Sequence, residues 1–127
     1  GNKNITDILT NEDDYYFGTK EEIAGVILHW LNEYDTVEFF SDVSHYDFVL
    51  FADMFGGALN MPEKLPACCH DINQDIAEYY EVDEAQAFDM SREEILSTGY
   101  GITINGDKHN SLYDARVIKG IYCGIKQ

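Results

Sequence analysis

His109-Asn110-Ser111-Leu112-Tyr113-Asp114-Ala115-Arg116 is the stretch on which the reading of this chain turns. A histidine stands five residues ahead of an aspartate, at the mouth of a run in which Leu112, Ala115, Ile118, Ile121, Tyr122 and Ile125 recur at helical spacing. That period predicts an amphipathic helix running to about Ile125, with one face on a core. Taken alone, the pair is equally well read as a surface imidazole beside a carboxylate that offsets the positive end of a helix dipole. Its meaning depends on whether other parts of the chain supply partners.

Moving outward, Ser91-Arg92-Glu93-Glu94 has the spacing of a capping box and opens a helix that Gly99 is expected to close. Asn105-Gly106 marks a turn in a surface loop, Gly101 to Lys108, with room for a small hairpin. Asp71 is placed to cap a helix bearing Ile72, Ile76, Tyr79 and Tyr80, after a short strand at Ala67-Cys68-Cys69-His70. Further upstream, Ser44 is expected to cap a helix carrying Phe48, Leu50, Phe51, Met54 and Phe55, which Gly56-Gly57 stops. Thr36 to Phe40, β-branched and aromatic, reads as a strand. Thr19-Lys20-Glu21-Glu22 matches a capping box that opens a helix with Ile23, Val26, Ile27, Trp30, Leu31 and Tyr34 on one face, ending at Asp35. Residues 1–18 show no period and read as an irregular lead-in, with at most a short helix around Ile5 to Leu9. Alternating helices and short buried strands predict one α/β domain over residues 1–127.

Composition bounds the functions available. With 24 acidic against 8 basic residues the formal charge is −16, a field that repels nucleic acid unless bound cations or a local basic patch reverse it. Lys108, Arg116, Lys119 and Lys126 supply such a patch around the opening stretch. Three cysteines do not pair into a disulfide framework, and no apolar run reaches the roughly 20 residues of a membrane span, so a cytoplasmic protein that does not enter a membrane is expected. Cys68-Cys69-His70 is too compressed for a tetrahedral zinc site.

The run from His109 to Arg116 closely resembles the third motif of the DEDDh-type 3'-5' exonucleases, which have a ribonuclease H-like fold. The resemblance implies that His109 is a general base and that Asp114 is a ligand of a divalent cation. It also asks for an aspartate after an aromatic residue, in the first turn of a helix that follows a core strand. Ser44-His45-Tyr46-Asp47-Phe48 answers that description, with Asp47 as the matching residue. The likeness then spans residues 19–125.

The family's first motif, Asp-x-Glu on the opening strand, occurs nowhere in the 127 residues, and no three-strand meander precedes Thr19. The expected architecture is therefore a three-layer ribonuclease H-like fold missing its first strands. Gly1 in place of an initiating Met fits a segment whose roughly 50 preceding residues carried them; the other account is a divergent member that keeps the fold without the chemistry.

The implied activity is hydrolysis of phosphodiester bonds in single-stranded RNA or DNA by two Mg2+ or Mn2+ ions, one activating water and the other stabilising the leaving oxygen. His109 would take the proton, Asp114 and Asp47 would hold metal, and two carboxylates of the set are missing, so these residues are expected to be a poor catalyst. Two other readings stay open. One is a non-catalytic protein-interaction module on the same fold; the other is an acidic nucleic-acid mimic whose binding weakens with salt. Exposed edges and apolar faces left by absent strands predict a homodimer.

Overall fold

The computed structural model describes residues 17–108 and 110–127, and it is mixed α/β and mostly helical. The chain divides into two compact units. One comprises the described part of Gly1–Phe39 with Tyr46–Cys68; the other comprises Phe40–His45 with Cys69–Gln127.

In the first unit, α1 (Lys20–Leu31) starts as the sequence predicts. Thr19 Oγ1 accepts the Glu22 N–H at 3.1 Å and the Glu22 carboxylate accepts the Thr19 N–H at 3.5 Å, so two otherwise orphaned donors satisfy each other's side chains. Ala24, Val26 and Leu31 are buried. The helix ends four residues before Asp35, because Glu33 and Tyr34 tighten into i→i+3 bonds to Trp30 and Leu31. α2 (Ser44–Asp53) carries Phe48 and Phe51 against Phe39, at ring separations of 5.6 and 4.9 Å. It ends at Asp53, short of the glycines expected to stop it, in a turn that runs to Gly56 and Gly57, whose φ of +90° and +105° a side chain would strain. A 3-10 turn, Ala58–Asn60, follows.

The second unit holds a parallel pair, β1 (Phe40–Ser41) and β2 (His70–Asp71), with Phe40 opposite His70 and Ser41 opposite Asp71. The expected strands at 36–40 and 67–70 thus shrink and shift by one residue. The cause is the partner: Asp71 is already the N-cap of α3 (Ile72–Tyr80), so nothing remains for a longer strand to pair with. Phe39 meanwhile joins the aromatic cluster of the first unit while Phe40 packs on His70 and Tyr122.

A helix that the apolar pattern does not announce, α4 (Glu84–Asp89), follows α3, with a reciprocal box between Asp83 and Gln86. α5 (Arg92–Tyr100) is capped by Ser91. It runs through Gly99 and ends at Gly101, where φ is +66°, so the C-cap lies two residues beyond the expected one. Residues 101–108 form neither strand nor hairpin. α6 (Ser111–Ile125) is capped by Asn110 through the N–H groups of Leu112 and Tyr113.

Ile72, Ile76, Ala77, Ala87, Ile95, Leu96, Val117 and Ile121 form the core of this unit, drawn from all four helices. Ile72, Ile76, Leu96 and Ile121 are almost fully buried, each worth about 1.5–3 kcal/mol of transfer free energy. Among the described residues no helix is long and apolar enough to cross a membrane. Of the irregular lead-in expected at 1–18, residues 1–16, with the short helix, lie outside the described residues.

Candidate functional site

The corner between β1 and α2 is built from charges. Asp71 Oδ1 accepts the N–H of Val43 at 3.0 Å and of Asn73 at 2.9 Å, and Oδ2 accepts the Ser44 N–H at 3.2 Å. One carboxylate therefore serves the first turns of two helices, where amide dipoles favour negative charge. Val43 needs this help, because its φ of +57° is a left-handed conformation that a β-branched residue adopts only under constraint. Beside it, Arg92 forks onto Asp42, Nε to Oδ2 at 2.7 Å and Nη2 to Oδ1 at 2.9 Å. The same Nη2 donates to Asn73 Oδ1 at 2.7 Å, and Asn73 passes a hydrogen bond on to the Glu84 carbonyl at 3.0 Å. The Arg92 side chain is 11% exposed, so this fork works in a partly dry setting. Three residues past Ser44, Asp47 lies in the first turn of α2 and is exposed.

The mouth of α6 is the second locus. Asn110 Oδ1 accepts from Leu112 and Tyr113 at 3.1 and 3.3 Å, and the Asp114 N–H donates to the Asn110 carbonyl at 2.9 Å, which fixes Asp114 in the first turn, half-buried. The Tyr113 hydroxyl donates to Glu93 Oε1 at 3.3 Å. Glu93 is held below the ordinary carboxylate range by its own backbone N–H first, then by Lys108 and Tyr113, against the opposing effect of burial. Burial pushes the Tyr113 phenol up, and the Glu93 charge adds to it. His109 lies outside the described residues, so its side chain enters no geometry given for this mouth.

A third cluster was not recognised from the sequence as a group. His70 Nε2 bonds the buried Asp75 carboxylate, whose other oxygen lies 3.5 Å from Lys126 Nζ. Phe40 and Tyr122 flank the imidazole with ring centroids at 5.0 and 5.4 Å. The carboxylate orients the imidazole, and Lys126 sets a positive charge beside that carboxylate. The only sequence signal was a histidine before a capped helix and an aspartate one turn inside it. Cys69 Sγ lies 3.3 Å from Ser41 Oγ, Cys68 is exposed, and these cysteines with His70 form no zinc-like set.

Asp47 belongs to the first unit and Asp114 to the second. Among the described residues no group of three or more His, Cys, Asp or Glu side chains is close enough to hold a metal ion. A pair of divalent cations takes about six oxygens each, several from carboxylates. The described residues therefore do not fit a complete two-metal centre. No family model, curated protein or solved structure matches the chain.

Proposed function

We propose that this chain is a 3'-5' exonuclease-like domain on a ribonuclease H-like fold, acting on single-stranded RNA or DNA, with its Mg2+ or Mn2+ centre incomplete in these residues. The observation that carries it is that both motif aspartates stand in the first turn of a helix, Asp47 in the helix that follows β1 and Asp114 in the helix capped by Asn110. Support also comes from the run His109 to Arg116 and from the chain order of strand, motif helix, intervening helices and final helix. In this reading Asp114 and Asp47 are metal ligands and His109 is the base, a role suited to an imidazole near neutral pH.

The test has two arms on the full chain. Mn2+ titrated into isotope-labelled protein should broaden the amide signals around Asp114 and Asp47 first, and Asp114→Asn should abolish the broadening at its own site. A 5'-labelled single strand incubated at high protein concentration should show slow trimming from the 3' end that His109→Ala removes. Trimming that survives unchanged in His109→Ala, or broadening centred elsewhere, would sink the assignment.

The absence of Asp-x-Glu and the charge of −16 favour one second reading, a non-catalytic interaction module on the same fold. It predicts neither trimming nor site-specific broadening.

A further inference from the structure

Residues 101–108 leave α5 at Gly101 and lead toward α6, capped by Asn110, without forming regular structure. Apolar packing holds this segment only in part. Ile104 leans on the core, but a cavity of about 170 Å3 lies under the segment, lined by Glu93, Leu96, Ile102, Ile104, Tyr113 and Val117. The pocket is open to water, so contacts elsewhere must hold the segment near the helices.

Tyr113 supplies them from two sides. Its ring backs Gly106, where an added Cβ would come within 3.2 Å of Tyr113 Cδ2, and Gly106 adopts φ +133°, open to glycine alone. Its hydroxyl reaches Glu93 Oε1 on the first turn of α5. Lys108, within the segment, is near enough for its charge to act on the same carboxylate.

We propose that Glu93 is a positioning residue for the loop between α5 and α6: through the Tyr113 hydroxyl and the Lys108 charge it ties residues 101–108 to the first turn of α5. Tyr113 is the adjacent residue to Asp114, so the same tie sets the segment against the turn that carries the proposed metal ligand. The functional part rests on reading His109 and Asp114 as base and ligand; the tie itself does not.

Hydrogen exchange on the full chain, read by mass spectrometry over peptides from 102–109, tests it. Glu93→Ala and Tyr113→Phe should each speed exchange of these peptides about fivefold, the factor expected from losing one partly exposed hydrogen bond. Glu93→Gln keeps an oxygen that accepts from Tyr113 but loses the charge that Lys108 meets, so its exchange should fall between the parent and Glu93→Ala, a partial rescue that general loss of stability would not produce. Glu94→Ala removes a neighbouring charge from the same helix turn and should leave the peptides unchanged. Should Glu93→Ala fail to fold, Tyr113→Phe, which deletes a single oxygen, carries the test. Unchanged exchange in Tyr113→Phe, or an equal effect from Glu94→Ala, would overturn the tie. A responsive segment without Mn2+ broadening at Asp114 would instead support the tie and remove the nuclease reading.

Discussion

Gly124→Ala is the substitution on which propensity and packing disagree most sharply. α5 and α6 approach through matched i, i+4 pairs, Leu96 and Tyr100 on one helix and Gly120 and Gly124 on the other. A Cβ on Gly124 would fall 2.7 Å from Tyr100 Cε2 and Cζ and 2.9 Å from Cδ2. On Gly120 it would meet Leu96 Cδ2 at 3.0 Å, and on Gly99 only the Tyr80 hydroxyl at 3.5 Å. Propensity alone says that alanine stabilises a helix interior over glycine by about 0.8–1 kcal/mol. Carbon atoms, however, are at their best about 3.5–4.0 Å apart, and a rigid ring has no methyl to swing aside. Retreat is also blocked by burial, since the Tyr100 hydroxyl is enclosed. Overpacking of this kind costs about 1–3 kcal/mol. The clash therefore wins at Gly124, for a net loss of about 1 kcal/mol; Gly120→Ala should come out near zero because a leucine methyl can move, and Gly99→Ala should gain about 0.5–1 kcal/mol.

Urea unfolding followed by far-UV circular dichroism measures all three as shifts in midpoint at constant slope. Combining Gly124→Ala with Tyr100→Leu should recover about 1 kcal/mol relative to the sum of the single changes, as expected for residues in direct contact. If Gly124→Ala proves as stabilising as Gly99→Ala, the close approach of α5 and α6 described above is wrong.

Asp71→Ala strips an acceptor from three amides at once and should cost about 2–3 kcal/mol, more than an ordinary cap, whereas Val43→Gly in the parent should gain up to about 1 kcal/mol by relieving φ +57°. Equal urea midpoints for the two variants would discard the account of the corner. Stability should also form a plateau with two limbs. Burial, then Tyr79, raises Tyr100; burial, then Glu93, raises Tyr113; and Asp53 raises Lys20. Raised groups stabilise the fold below their ordinary values of 10.0 for tyrosine and 10.5 for lysine, and that contribution is lost as pH climbs through the folded values. Glu93, being lowered, contributes above its ordinary 4.5 and loses the contribution as pH falls through its folded value. Urea midpoints that stay flat from about pH 9 to 11 would contradict the alkaline limb.

Helix starts were legible because their determinants are local. Thr19 with Glu22, Asp71, Ser91 and Asn110 each satisfy amides within three residues, so residue type and spacing are sufficient. Asp83 with Gln86 obeys the same rule, and α4 went unread only because six residues give no apolar period to draw attention to it. Helix ends were less legible. Gly99 and Gly101 both offer a glycine near the end of α5, and the choice falls on Gly101 because Ile102 N–H can then reach the Leu96 carbonyl at 3.0 Å.

Strand length and the polar corner are non-local, and there the sequence runs out. Thr36 to Phe40 has every local mark of a strand, yet β1 keeps only the residues that β2 can pair with before Asp71 turns the chain into α3. Arg92 stands 50 positions from Asp42, and nothing in either neighbourhood names the other. The same distinction governs the candidate site. Asp47 and Asp114 are picked out by local runs, Tyr46-Asp47 and His109 to Arg116, that resemble the motifs of one family. Glu93 sits inside the Ser91–Glu94 capping-box pattern without being its partner residue, and its role toward Tyr113 emerges only once α5 and α6 lie side by side. A carboxylate in a first turn thus has two readings that sequence does not separate: it can answer the dipole of its own helix, or it can reach across to hold another segment. For Glu93 both hold, since its own backbone N–H and the Tyr113 hydroxyl bind the same side chain. Loss of the side chain should therefore loosen the loop as well as the helix start, and only the loop response distinguishes it from Glu94.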